Sequence, residues 1–320
     1  MTERGRADSP SAGTAPAGAA RPVRDARTTV AVITCNRRSS LLRTLDHLAA
    51  LPEHPPVVVV DNGSTDGTPD AVRAHPSGAR LLSPGHNTGA LGRNLAVSCA
   101  TTPYVAFSDD DSWWAPGALS AAGTFFDDHP GLGLLAARTV VEPGRSDDPL
   151  NAVLARSPLP ARPDLPGRPV LGFLACAAVV RRTAFLEAGG YHELLFFGGE
   201  ETLLAYDLAA AGWGVVYEPS VVSHHCPDPG ERPGRETVVR RNQLLTTWLR
   251  RPLGVALRET AGLLTAGVSG RAGARTALYE ALVRLPAAMR QRRPLPPLIE
   301  HQVRVLERAE AARRPGDHAG

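Results

Sequence analysis

The 320-residue sequence contains no lysine, and all 35 of its basic residues are arginine. This absence excludes two classes of enzyme, because a Walker phosphate-binding loop and a Schiff-base mechanism both require a lysine side chain. The formal net charge of +3 is too small to indicate a nucleic-acid partner. The composition therefore points away from lysine chemistry and from nucleic acid.

Cysteine is scarce, and its spacing excludes a metal knuckle or a redox motif. The four cysteines, Cys35, Cys99, Cys176 and Cys226, are far apart in the chain. No apolar run has the length of a membrane span, and the N-terminus lacks the apolar core of a secretion signal. These absences predict a cytoplasmic protein with reduced thiols.

Apolar segments of strand length alternate with amphipathic segments in the first half of the chain. The segments "TTVAVITC", "PVVVVD", "ARLLS" and "YVAFSDDD" are continuously apolar before they end, as buried strands are. The segments between them have the helical period, and Ser39 or Ser40 is predicted to cap the first helix. The pattern predicts an α/β fold with a mainly parallel central sheet flanked by helices.

Composition divides the chain into further parts. Residues 1–27 are rich in Ala, Gly, Pro, Ser and Arg and are predicted to form a disordered leader, and residues 314–320 a disordered tail. Residues 28–234 are predicted to form the α/β domain, with a long loop at 142–169. Residues 235–313 have a mainly helical pattern and are predicted to form a C-terminal helical region.

Polar clusters follow three of the predicted strands, at Thr34–Asn36, Asp61–Asp66 and Asp109–Asp111. Open α/β sheets bind their ligands at the carboxyl ends of strands, so the three clusters predict one site. Asp109 and Asp111 are two residues apart, and on an extended segment their carboxylates would point the same way. A divalent cation would stabilise such a pair, and its place at a strand end favours this over a solvated turn.

Three further groups of residues are candidates, each with a structural alternative. Gly89 and Arg93 lie near a helix start, which favours phosphate, although Arg93 also suits a surface position. Glu200 and Glu201 open a helix, where they can serve as a general base or only stabilise the helix N-terminus. The histidines of "SVVSHH" can bind a metal or be purely structural.

Taken in order, the motifs "VAVITCNR", "VVDNGSTD", "NTGALGRN", "FSDDD", "GGYHE", "GGEETLLAYDLAAAGW" and "VVSHH" resemble those of the family 2 glycosyltransferases, over about residues 28–250. The resemblance implies the GT-A fold, with a nucleotide-binding half at 28–111 and an acceptor-side half at 112–234. It implies an inverting enzyme that uses Mg²⁺ or Mn²⁺ and moves a sugar from a nucleoside diphosphate sugar to an acceptor hydroxyl. The acceptor would be a small molecule, a glycan or a lipid-linked molecule.

The resemblance also implies roles for individual residues. The residues expected in the nucleotide-sugar site are Thr34, Asn36, Arg37, Asp61, Asn87, Gly89, Arg93, Asn94, Asp109 and Asp110. The expected metal ligands are Asp111, Asp109 and His224. Glu201 is expected to be the catalytic base, and Glu200 is the alternative because the family usually has Glu-Asp here.

Other interpretations remain for the function and for the C-terminal region. A sugar nucleotidyltransferase also uses paired aspartates, but it usually needs a lysine; a non-catalytic nucleotide-sugar-binding module is the third possibility. Residues 235–313 suit a peripheral contact with the inner face of an anionic membrane, or packing on the catalytic domain or on a second copy in a homodimer. Packing is preferred, because the sequence has no obvious continuous basic and apolar face.

Overall fold

The computed structural model describes residues 25–228, 230 and 234–313. In chain order its elements are β1 (Thr28–Thr34), α1 (Arg38–Ala49), β2 (Val57–Asp61), α2 (Thr68–Ala74), β3 (Arg80–Leu82), α3 (Leu91–Cys99), β4 (Tyr104–Asp109), β5 (Ser112–Trp114), α4 (Ala118–Asp128), β6 (Leu132–Val141), β7 (Ser146–Asp147), α5 (Pro149–Ala155), β8 (Arg168–Pro169), β9 (Ala178–Arg181), α6 (Arg182–Ala188), α7 (Glu200–Ala210) and β10 (Gly214–His225). Four helices follow: α8 (Arg235–Arg250), α9 (Leu253–Val268), α10 (Ala274–Arg290) and α11 (Pro297–Arg313).

The strands form one sheet in the order β3-β2-β1-β4-β9-β6-β10-β5, and β7 and β8 pair at its side. Strands β1 to β4 are mutually parallel, because each is joined to the next by a helix that returns the chain. β6 and β10 are also parallel, whereas β9 runs antiparallel to both of its neighbours. The predicted α/β fold, with its mainly parallel sheet flanked by helices, is confirmed.

Both faces of the sheet are buried, which explains why the strand segments are apolar throughout. In β1, Ala31 and Ile33 belong to the hydrophobic core on one face, and Val30 and Val32 belong to the core on the other. The register places Thr34 opposite Asp61 and Ile33 opposite Asp109. The ends of β1, β2 and β4 therefore meet at one edge, as predicted.

Several local predictions were wrong. Residues 142–169 are not one long loop, since they contain β7, α5 and β8, and the strands β5 and β6 were not predicted. Neither Ser39 nor Ser40 caps α1: the N-cap is Arg37, and Asp66 from another loop accepts the Arg38 N–H at 3.0 Å.

The chain termini differ in part from the expected boundaries. Order begins before residue 28, because Asp25 is buried and its N–H donates to the Glu53 carbonyl at 3.2 Å. The remainder of the predicted leader, residues 1–24, and the tail 314–320 lie outside the described residues.

The C-terminal helices pack on the α/β part through a shared core and ion pairs. Leu195 and Leu203 join Leu244, Leu245 and neighbouring apolar residues of the helices in one hydrophobic cluster. Arg250 forms an ion pair with Asp207 of α7 at 2.5 Å. No helix in the described part of the chain is both long and apolar enough to cross a membrane.

Candidate active site

A cleft of about 680 Å³ opens at the edge where β1 and β4 end. Two groups of side chains line it, one from the ends of the parallel strands and one from the start of α7. The predicted site residues that line it are Thr34, Arg37, Asn87, Gly89, Arg93, Asp109, Asp110, Asp111, Glu200 and Glu201. The structure therefore brings most of the predicted site together.

The three aspartates do not alternate as an extended segment would. β4 ends at Asp109, and the chain turns through Asp110 and Asp111 before β5. Arg37 contacts both of the turn residues, with its Nε 2.8 Å from Asp110 Oδ1 and its Nη2 2.8 Å from Asp111 Oδ2. All three aspartates line the cleft, so the alternation expected of an extended segment does not hold.

Asp110 is held in place from two sides. The Thr34 hydroxyl donates to Asp110 Oδ2 at 2.9 Å, and Arg37 contacts the other carboxylate oxygen. Burial raises the pKa of Asp110 to about 7, with Arg37 opposing the shift and Asp111 adding to it. Asp110 thus links the end of β1 and the loop after it to the turn at the end of β4.

Arg93 is an almost fully buried cation that faces the cleft from α3. It forms an ion pair with Asp109, and its guanidinium lies 5.6 Å from the centre of the Tyr191 ring. Burial opposes its charge, but Asp109, with Tyr191, Glu200 and Glu201 also contributing, keeps the pKa of Arg93 above its usual range. Its Nε and Nη1 have no hydrogen-bond partner within the described residues. Arg93 is therefore not the surface residue that was its structural alternative.

Glu200 and Glu201 start α7, directly after Gly199, which has a φ of 89°. Glu200 is only 2% exposed, and Glu201 is half-buried. Burial, followed by the charge of Glu201, raises the pKa of Glu200 to about 8, and Arg93 opposes this shift. Burial also raises the pKa of Glu201. Burial and the negative charge of Glu201 thus favour the protonated form of Glu200.

The structure places His225, and not His224, in the cleft. His225 Nε2 lies 3.4 Å from Asp111 Oδ1. His224 belongs to a different cavity, where its Nδ1 is 3.0 Å from Glu142 Oε1 and its ring stacks on Trp113. Adjacent residues of a strand point to opposite sides, so the two histidines face different cavities. Asp111 borders both cavities, and it is the cavity of His225 that Asp109 and Asp110 also line.

Three of the predicted nucleotide-site residues, Asn36, Asp61 and Asn94, make contacts beside the cleft without lining it. Asp61 is buried and accepts the Ser64 N–H at 3.2 Å, and Asn36 Oδ1 accepts the Thr65 N–H at 2.7 Å. Asn94 bonds the Tyr191 backbone in both directions, at 2.8 and 2.9 Å. Their binding roles stay predictions.

Other lining residues were not predicted. Asn62 lines the cleft, and its side-chain amide donates to the Gly89 carbonyl at 3.1 Å. Phe196 also lines it and has a φ of 61°, a left-handed conformation that is uncommon for an aromatic residue. The only sequence signal for Asn62 is its place next to Asp61 at a strand end; for Phe196 we find none.

Gly89 joins the two walls of the cleft. It has a φ of 58°, and a Cβ at this position would collide with the Phe196 carbonyl. The neighbouring Ala90 N–H donates to the same carbonyl at 2.7 Å. Only glycine permits this approach, which fixes the segment before α7 against the start of α3.

The donor atoms on the cleft wall fit a divalent cation with few protein ligands. Among the described residues, no three Asp, Glu, His or Cys side chains form a ready-made metal cluster. Asp111 and His225 do converge, and Asp111 contributes to raising the pKa of His225 although burial opposes this. A carboxylate and an imidazole suit Mn²⁺ or Mg²⁺ when a bound diphosphate and water supply the other ligands.

The chain is similar to known proteins over most of its length. Residues 29–189 match the family described as "Glycosyl transferase family 2". A relative from Mycobacterium tuberculosis, named N-acetylglucosaminyl-diphospho-decaprenol L-rhamnosyltransferase, is 30% identical over 73% of this chain and 90% of its own length. A second relative from that organism, named pre-mycofactocin glycosyltransferase, is 29% identical over 77% of this chain and 57% of its own length.

Solved structures support the fold. The mannosyltransferase PcManGT from Pyrobaculum calidifontis, in complex with GDP-Man and Mn²⁺, matches with a TM-score of 0.55 and 24% identity, over 93% of this chain and 84% of that chain. S. aureus TarS 1-349 in complex with UDP-GlcNAc matches with a TM-score of 0.56 and 17% identity, over 91% of this chain and 93% of that one. The predicted GT-A fold is confirmed, and the chain belongs to glycosyl transferase family 2.

Proposed function

We propose that the protein is an inverting glycosyltransferase that moves a sugar from a nucleoside diphosphate sugar to an acceptor hydroxyl. The observation that carries this proposal is the composition of the cleft, which combines the aspartate turn after β4 with the glutamates of α7. Transfer of a sugar from a nucleoside diphosphate needs charge stabilisation near the leaving diphosphate and a base near the acceptor hydroxyl. Both kinds of group are present in one cavity.

Two arginines supply positive charge to the donor side. Arg37 is partly exposed and contacts Asp110 and Asp111, whereas Arg93 is buried beside Asp109. A guanidinium can bind two oxygens of a phosphate group at once. The Nη1 of Arg37 pairs with the exposed Asp228 at 3.0 Å, and this contact would be exchanged for the phosphate. We propose that Arg37 contacts the diphosphate and that Arg93 offsets the negative charge of Asp109 and of the glutamates of α7.

Asp109, Asp111 and His225 would hold the divalent cation, Mg²⁺ or Mn²⁺. When bound, the cation would neutralise the charge that develops on the departing nucleoside diphosphate. His225 replaces His224 in this set because it is the histidine that faces Asp111. Asp109 lines the same cleft as Asp111, and its side chain is partly exposed there.

Glu201 is the proposed base. A base at neutral pH must be ionised, and the raised pKa of about 8 leaves Glu200 mostly protonated. Glu201 is more accessible, and its negative charge is stabilised by Arg93. Glu201 takes the proton of the acceptor hydroxyl while that oxygen attacks the anomeric carbon. The bond to the diphosphate oxygen breaks on the opposite face, so the configuration inverts.

We place a lipid-linked acceptor ahead of a small molecule or a glycan. The support comes from the M. tuberculosis relative, whose name specifies a diphospho-decaprenol-linked N-acetylglucosaminyl acceptor. The identity of the sugar and of the donor base stays open, since the structural matches that carry GDP-Man and UDP-GlcNAc are below 25% identity. Neither a nucleotidyltransferase nor a non-catalytic module is favoured by the family match.

Product analysis tests the reaction class. The purified protein is incubated with UDP-, GDP- and dTDP-sugars and Mn²⁺, with and without an extract of polyprenyl-linked sugars. Release of nucleoside diphosphate together with an enlarged lipid-linked product is expected with one donor. Pyrophosphate release from a nucleoside triphosphate and a sugar 1-phosphate, supplied in a parallel incubation, would instead show a nucleotidyltransferase. Binding of a donor without any product, across all acceptors supplied, would show a binding module.

A further inference from the structure

Helix α9 carries a continuous apolar stripe that is exposed to solvent. Leu253, Leu257, Leu264 and Val268 follow one another at intervals of four, seven and four, so they lie along one side of the helix. All four are exposed, and Val268 is 75% exposed. The buried residues Val255, Ala256 and Gly267 lie elsewhere on the helix circumference. The stripe is therefore additional to the face that packs on the protein.

Helix α10 has a second stripe of the same kind. Tyr279, Leu282, Val283 and Met289 follow the helical period, and all are exposed, with Tyr279 at 69%. The fully buried residues of α10 are the small Ala274, Ala277, Ala281 and Ala288, and Leu278 and Leu285 are partly buried against the same core. The exposed stripe is therefore additional to the face that packs on the protein.

The charge of this helix pair is predominantly positive. Residues 253–290 contain the arginines Arg258, Arg271, Arg275, Arg284 and Arg290 and the glutamates Glu259 and Glu280. Glu280 already forms an ion pair with Arg241 at 2.7 Å. The exposed arginines therefore face outward with only one exposed carboxylate, Glu259, among them.

The turn between α9 and α10 lies next to the cleft. Arg235 and Val239, at the start of α8, line the cleft. On the same first turns of α8, the Arg240 guanidinium donates to the Ala272 carbonyl at 2.8 Å, and Gly273 is packed against Thr237. A binding partner in contact with α9 and α10 would therefore lie close to the mouth of the cleft.

We propose that residues 253–290, the α9–α10 surface, bind the headgroup region of a bilayer that contains anionic lipids. Large apolar side chains interspersed with arginines are the chemistry that inserts at such an interface. A second copy of the chain fits less well, because a two-fold contact would bring arginine-rich surfaces together without the acidic residues to pair them. The inference does not depend on the proposed reaction, since binding is measured without turnover.

Vesicle flotation with the full-length chain tests the proposal. The protein is mixed with phosphatidylcholine vesicles that either contain or lack phosphatidylglycerol. Flotation with the anionic vesicles, weakened by salt and much reduced on pure phosphatidylcholine, is expected. A variant that combines Leu257→Ser, Leu264→Ser and Val268→Ser should lower the bound fraction at least tenfold. Arg258→Gln with Arg271→Gln should weaken binding to anionic vesicles only.

A matched control carries Val153→Ser and Leu186→Ser, which change exposed apolar residues outside the α9–α10 surface. This control should float like the original protein, and circular dichroism should show that every variant is folded. Absence of flotation on anionic vesicles would overturn the proposal, as would equal flotation of the Leu257, Leu264 and Val268 variant. A dimer in sedimentation experiments that this variant converts to a monomer would assign the surface to a second copy instead.

Discussion

Arg93 and Asp109 form an ion pair in which the cation is almost fully buried and the carboxylate is partly exposed. Removing the arginine would leave Asp109 able to contact water, so the usual penalty for an abandoned buried charge should be small. We expect Arg93→Met to keep the free energy of unfolding within about 1–2 kcal/mol of the original. Turnover should nevertheless fall at least tenfold, because Arg93 stabilises the ionised form of the proposed base, Glu201.

Calorimetry and the pH dependence of kcat/KM separate these two effects. In Arg93→Met the acidic limb of the pH profile should move to higher pH, since loss of the nearby positive charge raises the pKa of the base. Asp109→Asn, which leaves the cation in place, is the matched control and should not move that limb upward. An acidic limb that stays in place in Arg93→Met would contradict this account of Arg93.

Replacing each of the two glutamates in turn by glutamine shows which of them is the catalytic base. Glu201→Gln should reduce kcat by about 10²–10⁴-fold, the usual contribution of a general base. Glu200→Gln should reduce it by much less at pH 7, because glutamine resembles the protonated form that Glu200 already adopts. Donor binding, measured by calorimetric titration, should be similar in both variants. The reverse order of the two effects on kcat would assign the base to Glu200.

The stability of the free enzyme should decrease as the pH rises between about 4.5 and 8. The carboxyl of Glu200 has an ordinary pKa of 4.5 and a pKa of about 8 in the folded protein, so the folded state binds more protons in this window. Raising the pH therefore favours the unfolded chain, by at most a few kcal/mol (~1.4 per pKa unit). Thermal unfolding of Glu200→Gln should show a shallower slope over the same range. An unchanged slope would mean that Glu200 is ionised in the folded state.

The adjacent histidines provide a matched pair for the metal site. His225→Ala should raise the Mn²⁺ concentration needed for half-maximal activity about tenfold or more, since it removes a proposed ligand. His224→Ala loses its contact with Glu142 and its stacking on Trp113, and should leave the Mn²⁺ requirement unchanged. Binding of Mn²⁺ to the protein alone, followed by paramagnetic resonance, gives a second readout. A larger rise in the Mn²⁺ requirement for His224→Ala than for His225→Ala would instead identify His224 as the metal ligand.

The sheet and the general position of the site were predictable because both follow from local patterns. Strands that are apolar throughout predict a doubly covered sheet, and the ends of parallel strands meet at one edge. Thr34, Asp61 and Asp109 were located in this way, and their register agrees. The family motifs then supplied the glutamates of α7.

The finer geometry depends on where regular structure stops, which the sequence leaves undetermined. The alternation assumed for Asp109 and Asp111 fails because β4 ends between them, and Arg37 then pairs with both Asp110 and Asp111. His224 and His225 are adjacent, and the strand pattern in the sequence does not show which of two neighbouring residues faces the cleft. The outward stripes of α9 and α10 were not recognised for a similar reason: the sequence shows periodicity but not which side a neighbouring helix covers.

Asn242 links the C-terminal helices to the segment that precedes Glu200. Its side-chain amide, buried on α8, donates to the carbonyls of Leu195 at 2.8 Å and Gly198 at 2.7 Å. The boundary at residue 234 is therefore a poor crossover point for building chimeras between relatives. A transplanted helical region would have to carry an amide at this position, or the glutamates of α7 would lose the support of their preceding loop. Substitutions in the C-terminal helices and substitutions in the segment that precedes α7 are thereby constrained to occur together.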